Sequence, residues 1–165
     1  MSKSLPTLSY DIGIDQKNRA AVVKLLSALL ADSFVLYTKA LNCHWNVVGP
    51  HFGPLHLLFK QNYEMLFDHV DDLAERIRTL GFPTPASLAE YKKATQLDEL
   101  SAEIAEGHLL IAALYNGHLV VIREMRKAID LCEDKYHDIG TGNFLTDMME
   151  VREKAAWMLR AHLEK

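Results

Sequence analysis

The chain lacks most of the features that mark secreted, membrane-spanning and nucleic-acid-binding proteins. It has 2 cysteines in 165 residues, too few for a disulfide framework, so a reducing cytoplasm is the expected compartment. The amino end, MSKSLPTLSYDIG, has no apolar stretch of the kind a secretory leader needs. No uninterrupted apolar run approaches the ~20 residues that cross a bilayer, so no membrane association is expected. Basic charge is also scarce. The formal net charge is -4, and residues 1–15 set Lys3 against Asp11 and Asp15, a sum of about -1. Neither end is a basic arm, and DNA binding through tails is not expected. Strand signals are nearly absent and there is no internal repeat. What remains is 49% hydrophobic and 24% charged, an ordinary globular composition. The length suits one domain over residues 1–165, with 1–14 as a tail.

Helical spacing fills that domain. From an N-cap at Asp15 to about Trp45, apolar residues recur at Val22, Leu26, Leu29, Leu30, Tyr37 and Leu41, steps of three and four that mark one helix face. Gly49-Pro50 breaks this helix. A second helix spans Phe52 to Leu80 with a stripe of Phe59, Leu66, Val70, Leu73, Ile77 and Leu80, and stops at Gly81 with Pro83 beyond. Residues 82–97 form a long connection in which SLAEYKK predicts a short helix. A third long helix is expected from Asp98, where DELSAEI resembles a capped first turn, to about Glu133. Gly140 to Asn143 reads as a loop, and a last helix fills Phe144 to the end. The fold class is therefore all-α: a four-helix bundle of ferritin-like connection, with a short extra helix in the long crossover between helices 2 and 3.

Three histidines, His44, His51 and His56, fall in the segment LNCHWNVVGPHFGPLH. The short turn between His44 and His56 folds two helices antiparallel, so both imidazoles can share one end of the bundle. Further on, FDHVDDLAERI carries Asp71 and Glu75 at i, i+4 on one face. Two imidazoles with two carboxylates suit a redox-active first-row metal such as iron. Asp71, however, follows His56 by 15 residues, roughly 22 Å of helix at 1.5 Å per residue. One subunit cannot gather all four residues. Two copies of the second helix packed antiparallel about a two-fold axis can, and symmetry then makes two sites per dimer.

These segments, HWNVVGPHFGPLH and DDLAERIRTLG together with KAAWMLRAHL near the end, closely resemble the signature of the Dps family of mini-ferritins, and the resemblance covers nearly the whole chain. It implies a hollow dodecamer whose inter-subunit ferroxidase sites oxidise Fe(II), preferentially with hydrogen peroxide, and store ferric mineral inside, an activity protective against oxidative stress. By the same resemblance His44 and His56 match the histidine ligands of one subunit, Asp71 and Glu75 the carboxylate ligands of its partner, and Trp45 the tryptophan beside the site.

Lys60 departs from the pattern. The family usually places Asp or Glu four residues after the second histidine, and an ammonium has no lone pair to offer a metal. Three consequences stay open. Lys60 swings out and leaves fewer ligands, or Glu64 one turn along compensates in part, or Lys60 pairs with Asp71 or Glu75 of the partner and fills the iron position. The alternative function is then a Dps-like cage with a retuned or inactive site, structural or DNA-protecting.

Plainer readings apply to other residues. His69, His108, His118, His137 and His162 read as structural, Cys43 as a packed thiol, Asp68 and Asp72 as surface acids, and His51 as a weak metal candidate. Asp71 and Glu75 could instead be partners for Arg76 and Arg78. The resemblance places the start of the last helix around a three-fold iron-entry pore, for which Asp138, Asp147 and Glu150 are the candidates; the plain reading is a charged first turn favoured by the helix dipole. An oxygenase-type bundle is disfavoured because Glu-x-x-His pairs are missing at the right places.

Overall fold

The structure is a computed structural model that describes residues 10–164; the tail readings on residues 1–9 lie outside the described residues. Five α-helices follow in order: α1 Gln16–Asn46, α2 Phe52–Thr79, α3 Leu88–Ala94, α4 Gly107–Asp130 and α5 Ile139–Ala161. The four long ones form the bundle, with α1 packed chiefly on α2 and α4 on α5. The short α3 lies in the crossover against α1.

The leucine stripes explain the packing. Leu26, Leu30, Leu36, Leu66, Leu73, Ile77, Leu110 and Leu114 are fully buried, as is Phe59. Truncating any one of these leucines typically costs ~2–5 kcal/mol. Tyr37, Leu41 and Val70, expected in the core, are half-buried at its edge. By length and composition α1 could cross a membrane, although no uninterrupted apolar run suggested it. Here half of its most apolar window is buried within the bundle.

Helix ends follow local chemistry. Gly81 ends α2 at φ 88°, and any side chain there would meet Arg19 and Tyr10 at 3.0 Å. The Arg19 guanidinium donates to the carbonyls of Tyr10, Ile14 and Leu80, tying the entry of α1 to the exit of α2. Ser87 and Glu90 form a capping box on α3.

Two boundaries differ from the sequence expectation. The third long helix starts at Gly107, not near Asp98. Residues 98–106 stay irregular because their backbone groups bond to α1 and its exit. Asn42 Nδ2 donates to the Leu100 carbonyl at 2.8 Å, and the Val48 N–H donates to the Ala105 carbonyl at 3.2 Å. Upstream, Asp32 accepts from Thr95 Oγ1 and the Gln96 N–H at 2.8 and 2.7 Å. The second correction is Gly140 to Asn143, which is the first turn of α5 and not a loop. The chain leaves α4 through a π-helical turn, Leu131–Lys135, and reverses at His137 with φ 56°. Asp138 then caps α5.

A polar seam runs through the apolar core. Arg152 is fully buried and donates from Nη2 to Ser33 Oγ at 2.8 Å. His118 Nε2 bonds Asn62 Oδ1 at 3.0 Å; an amide oxygen only accepts, so Nε2 carries the proton. Burial, reinforced by the Arg152 charge, pushes both His69 and His118 down to about 3. Burial also lowers Arg152 to about 9, against the opposing pull of Asp32. Cys43 and Cys132 are free and buried, each thiol pushed up to about 12 by burial, as expected of packed rather than reactive cysteines.

The two neutral histidines make stability depend on pH. In the unfolded chain they protonate near 6.5, in the fold only near 3, so unfolding takes up protons below 6.5. Their contribution is complete above that pH and is lost as the pH falls. Each should cost roughly 1 kcal/mol per pH unit between about pH 6 and pH 5. Urea midpoints measured across that window should drop; a flat profile would mean that the imidazoles ionise inside the fold.

Candidate metal centre

His44 lies in the last turn of α1 and His56 in the second turn of α2, on either side of the Gly49-Pro50 reversal. Their rings stack at 3.7 Å between centroids with 25° between planes. Each Nδ1 faces the other residue's backbone carbonyl, at 2.8 Å for His44 and 2.9 Å for His56. A carbonyl can only accept, so each Nδ1–H donates, and a neutral ring then keeps its lone pair on Nε2. This is how imidazoles are oriented for metal ligation, with the second nitrogen tied to a backbone acceptor. Tyr63 sits edge-on to His44 and Phe52 lies against His56, both at 5.1 Å. Trp45, beside His44, is 69% exposed.

The rest of the α2 face points outward. His56, Lys60, Glu64, Phe67, Asp71 and Glu75 follow one another at three- and four-residue steps, a single stripe along the helix. Lys60, Glu64, Phe67, Asp71 and Glu75 are all exposed. Lys60 Nζ stands 3.6 Å from Glu64 Oε1. With both side chains about half exposed, that pair is worth under ~1 kcal/mol. Lys60 is thus turned toward Glu64 within its own chain, and Glu64 is engaged with the cation rather than free beside His56. Asp71 and Glu75 have no ion pair among the described residues. Arg76 and Arg78, the alternative partners of these carboxylates, are engaged elsewhere. Arg76 bonds Asp138 and Thr141, and Arg78 donates to the Phe82 carbonyl.

Within one chain no group of three His, Cys, Asp or Glu donors converges on a point, among the described residues. The structure thus brings His44 and His56 together and leaves Asp71 and Glu75 on the far part of the same helix. Tyr63 and the paired carbonyls escaped sequence reasoning. The position of Tyr63, seven residues after His56, could have signalled a ring on the same face.

Of the pore candidates, Asp147 and Glu150 are exposed on α5. Asp138 differs from expectation: it is 2% exposed. Its carboxylate takes Arg76 Nη2 at 3.1 Å and the Thr141 N–H at 2.9 Å, and accepts the Thr141 hydroxyl as well. That carboxylate is a helix cap and ion-pair partner, with no oxygen left facing a channel.

Residues 23–165 match the family model for the ferritin-like domain. DNA protection during starvation protein 2 of Bacillus anthracis is 34% identical over 145 residues, covering 87% of this chain and 97% of the relative. A low temperature-induced protein of Nostoc sp. is 38% identical over 154 residues, 93% of this chain and 86% of its own. Among solved structures, the Dps protein of Vibrio cholerae O1 superposes with a TM-score of 0.90 at 31% identity, over 98% of this chain and 100% of that one. Its description places it in a broad superfamily of ferritin-like diiron-carboxylate proteins. A bundle of this topology, with paired histidines at one end, is thus of the ferritin-like class. Within that class, the chain belongs to the Dps family of mini-ferritins.

The Asp138 cap gives a direct test. Asp138→Ala should lower stability by roughly 2–3 kcal/mol, from the lost cap and the stranded Arg76, read as a drop in thermal midpoint. An unchanged midpoint would remove Asp138 from this structural role.

Proposed function

We propose that the protein is an iron-storing ferroxidase whose centres are shared between subunits. Two α2 helices pack antiparallel across a two-fold axis, with the exposed Phe67 in the contact. The Nε2 atoms of His44 and His56 of one subunit then face Asp71 and Glu75 of the other. The observation that carries this reading is the reciprocal His44–His56 pairing, which leaves two oriented lone pairs at one end of a stripe whose carboxylates, without an ion pair among the described residues, lie at the other.

The iron is substrate and cargo. Imidazole nitrogens and carboxylate oxygens hold Fe(II), and the carboxylates offset the charge that grows on oxidation. Hydrogen peroxide is the oxidant: each molecule takes one electron from each of two Fe(II), its O–O bond breaks, and two protons complete two waters. The paired consumption avoids one-electron cleavage and the hydroxyl radical. Ferric product collects in the hollow of a dodecamer, and Asp147 with Glu150 draw Fe(II) in through carboxylate rings. The setting is cytoplasmic, and a charge of about -1 over residues 1–15 gives no reason for DNA binding through the tail.

Lys60 supports a second reading of the same cage. A cation one turn from His56 lowers the site's affinity for a second ion, so each centre holds one iron firmly, or the shell is mainly structural.

Complementation tests the shared centre. His56→Ala and Asp71→Ala should each abolish peroxide-driven Fe(II) oxidation. Co-assembled at equal amounts, they should regain roughly a quarter of the wild-type rate, because half the dimers are mixed and each mixed dimer has one intact site. No recovery in correctly assembled mixed shells would overturn the centre shared between His56 of one subunit and Asp71 of the other. Lys60→Glu should raise the number of Fe(II) bound per centre in anaerobic titration; an unchanged number would mean that Lys60 does not set the stoichiometry.

A further inference from the structure

The exposed stripe of α2 is laid out to meet a second copy of itself. Its charges are segregated along the helix. The cation Lys60 stands toward the N-terminal end, Asp71 and Glu75 toward the C-terminal end, and Phe67 lies between them, 58% exposed. Such a face repels a parallel copy and attracts an antiparallel one, whose order of charge is reversed. Packed about a two-fold axis it is self-complementary, and the phenyl ring supplies apolar contact near the middle.

The register of that packing follows from the shared centre proposed above, on which this inference rests. His56 is eight residues before Glu64, whereas Asp71 and Glu75 are seven and eleven residues after it. Setting His56 of one subunit level with Asp71 and Glu75 of the other therefore brings the axis to within one residue of Glu64, under about 1.5 Å of helix rise. Glu64 is exposed on the same stripe, so its carboxylate meets the carboxylate of its own copy. Like charges brought together at an interface weaken it. The compensating cation is already in place, with Lys60 Nζ 3.6 Å from Glu64 Oε1, one turn away on the same face. On an isolated chain that exposed pair contributes little. At the axis, where the contact excludes water, its attraction grows.

We infer that Lys60 and Glu64 form a clasp on the two-fold axis, two ammonium groups with two carboxylates, and that the partner it fits is a second copy of this chain. Lys60 is then an assembly residue. The cation one turn from His56 stands there because Glu64, one turn further on, lies at the axis and needs its charge offset.

Cross-linking of the full-length protein tests the geometry. Both native cysteines are buried, so a thiol placed on the stripe reports alone. Glu64→Cys should give a covalent dimer under mild oxidation, because a residue on the axis faces its own copy within disulfide reach. Lys60→Cys should give about tenfold less, since its two copies stand roughly 13 Å apart along the helices. No dimer from Glu64→Cys, or equal yields from the two, overturns the inference. Sedimentation over a dilution series tests the charge balance. Lys60→Ala should weaken association roughly tenfold by leaving the two Glu64 carboxylates bare, and Lys60→Ala/Glu64→Ala should recover most of that loss. Both positions are exposed on a helix, where alanine keeps the fold; circular dichroism checks it. Lys60→Ala that associates like the wild type, or a double variant no better than Lys60→Ala, also overturns the clasp. The complementation experiment judges the shared centre separately. Restored oxidation without a Glu64→Cys dimer sinks the clasp and keeps the centre, whereas a Glu64→Cys dimer without restored oxidation keeps the two-fold contact and sinks the centre.

Discussion

The hairpin of α1 and α2 is closed by two hydrogen bonds that cross the same gap in opposite directions, His44 to the His56 carbonyl and His56 to the His44 carbonyl. Helix termini leave carbonyls without intrahelical partners, and near the end of α1 an imidazole from the next helix supplies one. A structural need and a chemical one are met by the same atoms. Once Nδ1 is spent on a carbonyl, the tautomer is settled and the outer nitrogen is left as a base. The direction of the remaining lone pairs follows from the hairpin, without further residues to steer them.

The bundle centre shows a different economy. Arg152, Ser33, Asn62 and His118 occupy positions that leucine could fill. Burying a guanidinium costs several kcal/mol even when it is bonded, and Arg152 has two nitrogens without a partner among the described residues. Replacing such a network with apolar residues is often stabilising in other proteins. Asp32, close enough to oppose the fall in Arg152's basicity, also accepts from Thr95 and Gln96. The acid that balances the buried cation is therefore the one that anchors the crossover to α1, and the interior charge is linked to the path of the long connection.

Much of this architecture could be read from residue spacing. The α1 and α2 stripes, the Gly49-Pro50 break, the Gly81 stop and the SLAEYKK segment all act within a turn or two of where they stand in the chain, and each produced the element expected of it. The errors came where distant partners decide. DELSAEI has the composition of a first helical turn, but Asn42 and Val48 hold its carbonyls, and nothing nearby in the chain announces that. Gly140 and Gly142 read as a loop although Asp138 caps them locally through the Thr141 N–H; the long-range part is Arg76, more than sixty residues upstream, which pairs with that cap. The same long-range bond hid the burial of Asp138. At the candidate centre, the histidine spacing was legible, whereas the stacking of the rings and the turn of Lys60 toward Glu64 depend on side-chain geometry.

The ligand stripe on α2 also has a consequence for how such a protein responds to its own abundance. On the proposed shared centre, with nitrogen donors at one end of α2 and carboxylates at the other, a single chain carries two halves of different sites and no whole one. By mass action, the number of complete centres rises with the square of the free chain concentration until pairing saturates. On that proposal newly made chains at low concentration lack ferroxidase activity, and competence appears as a threshold set by association, not as a quantity proportional to synthesis.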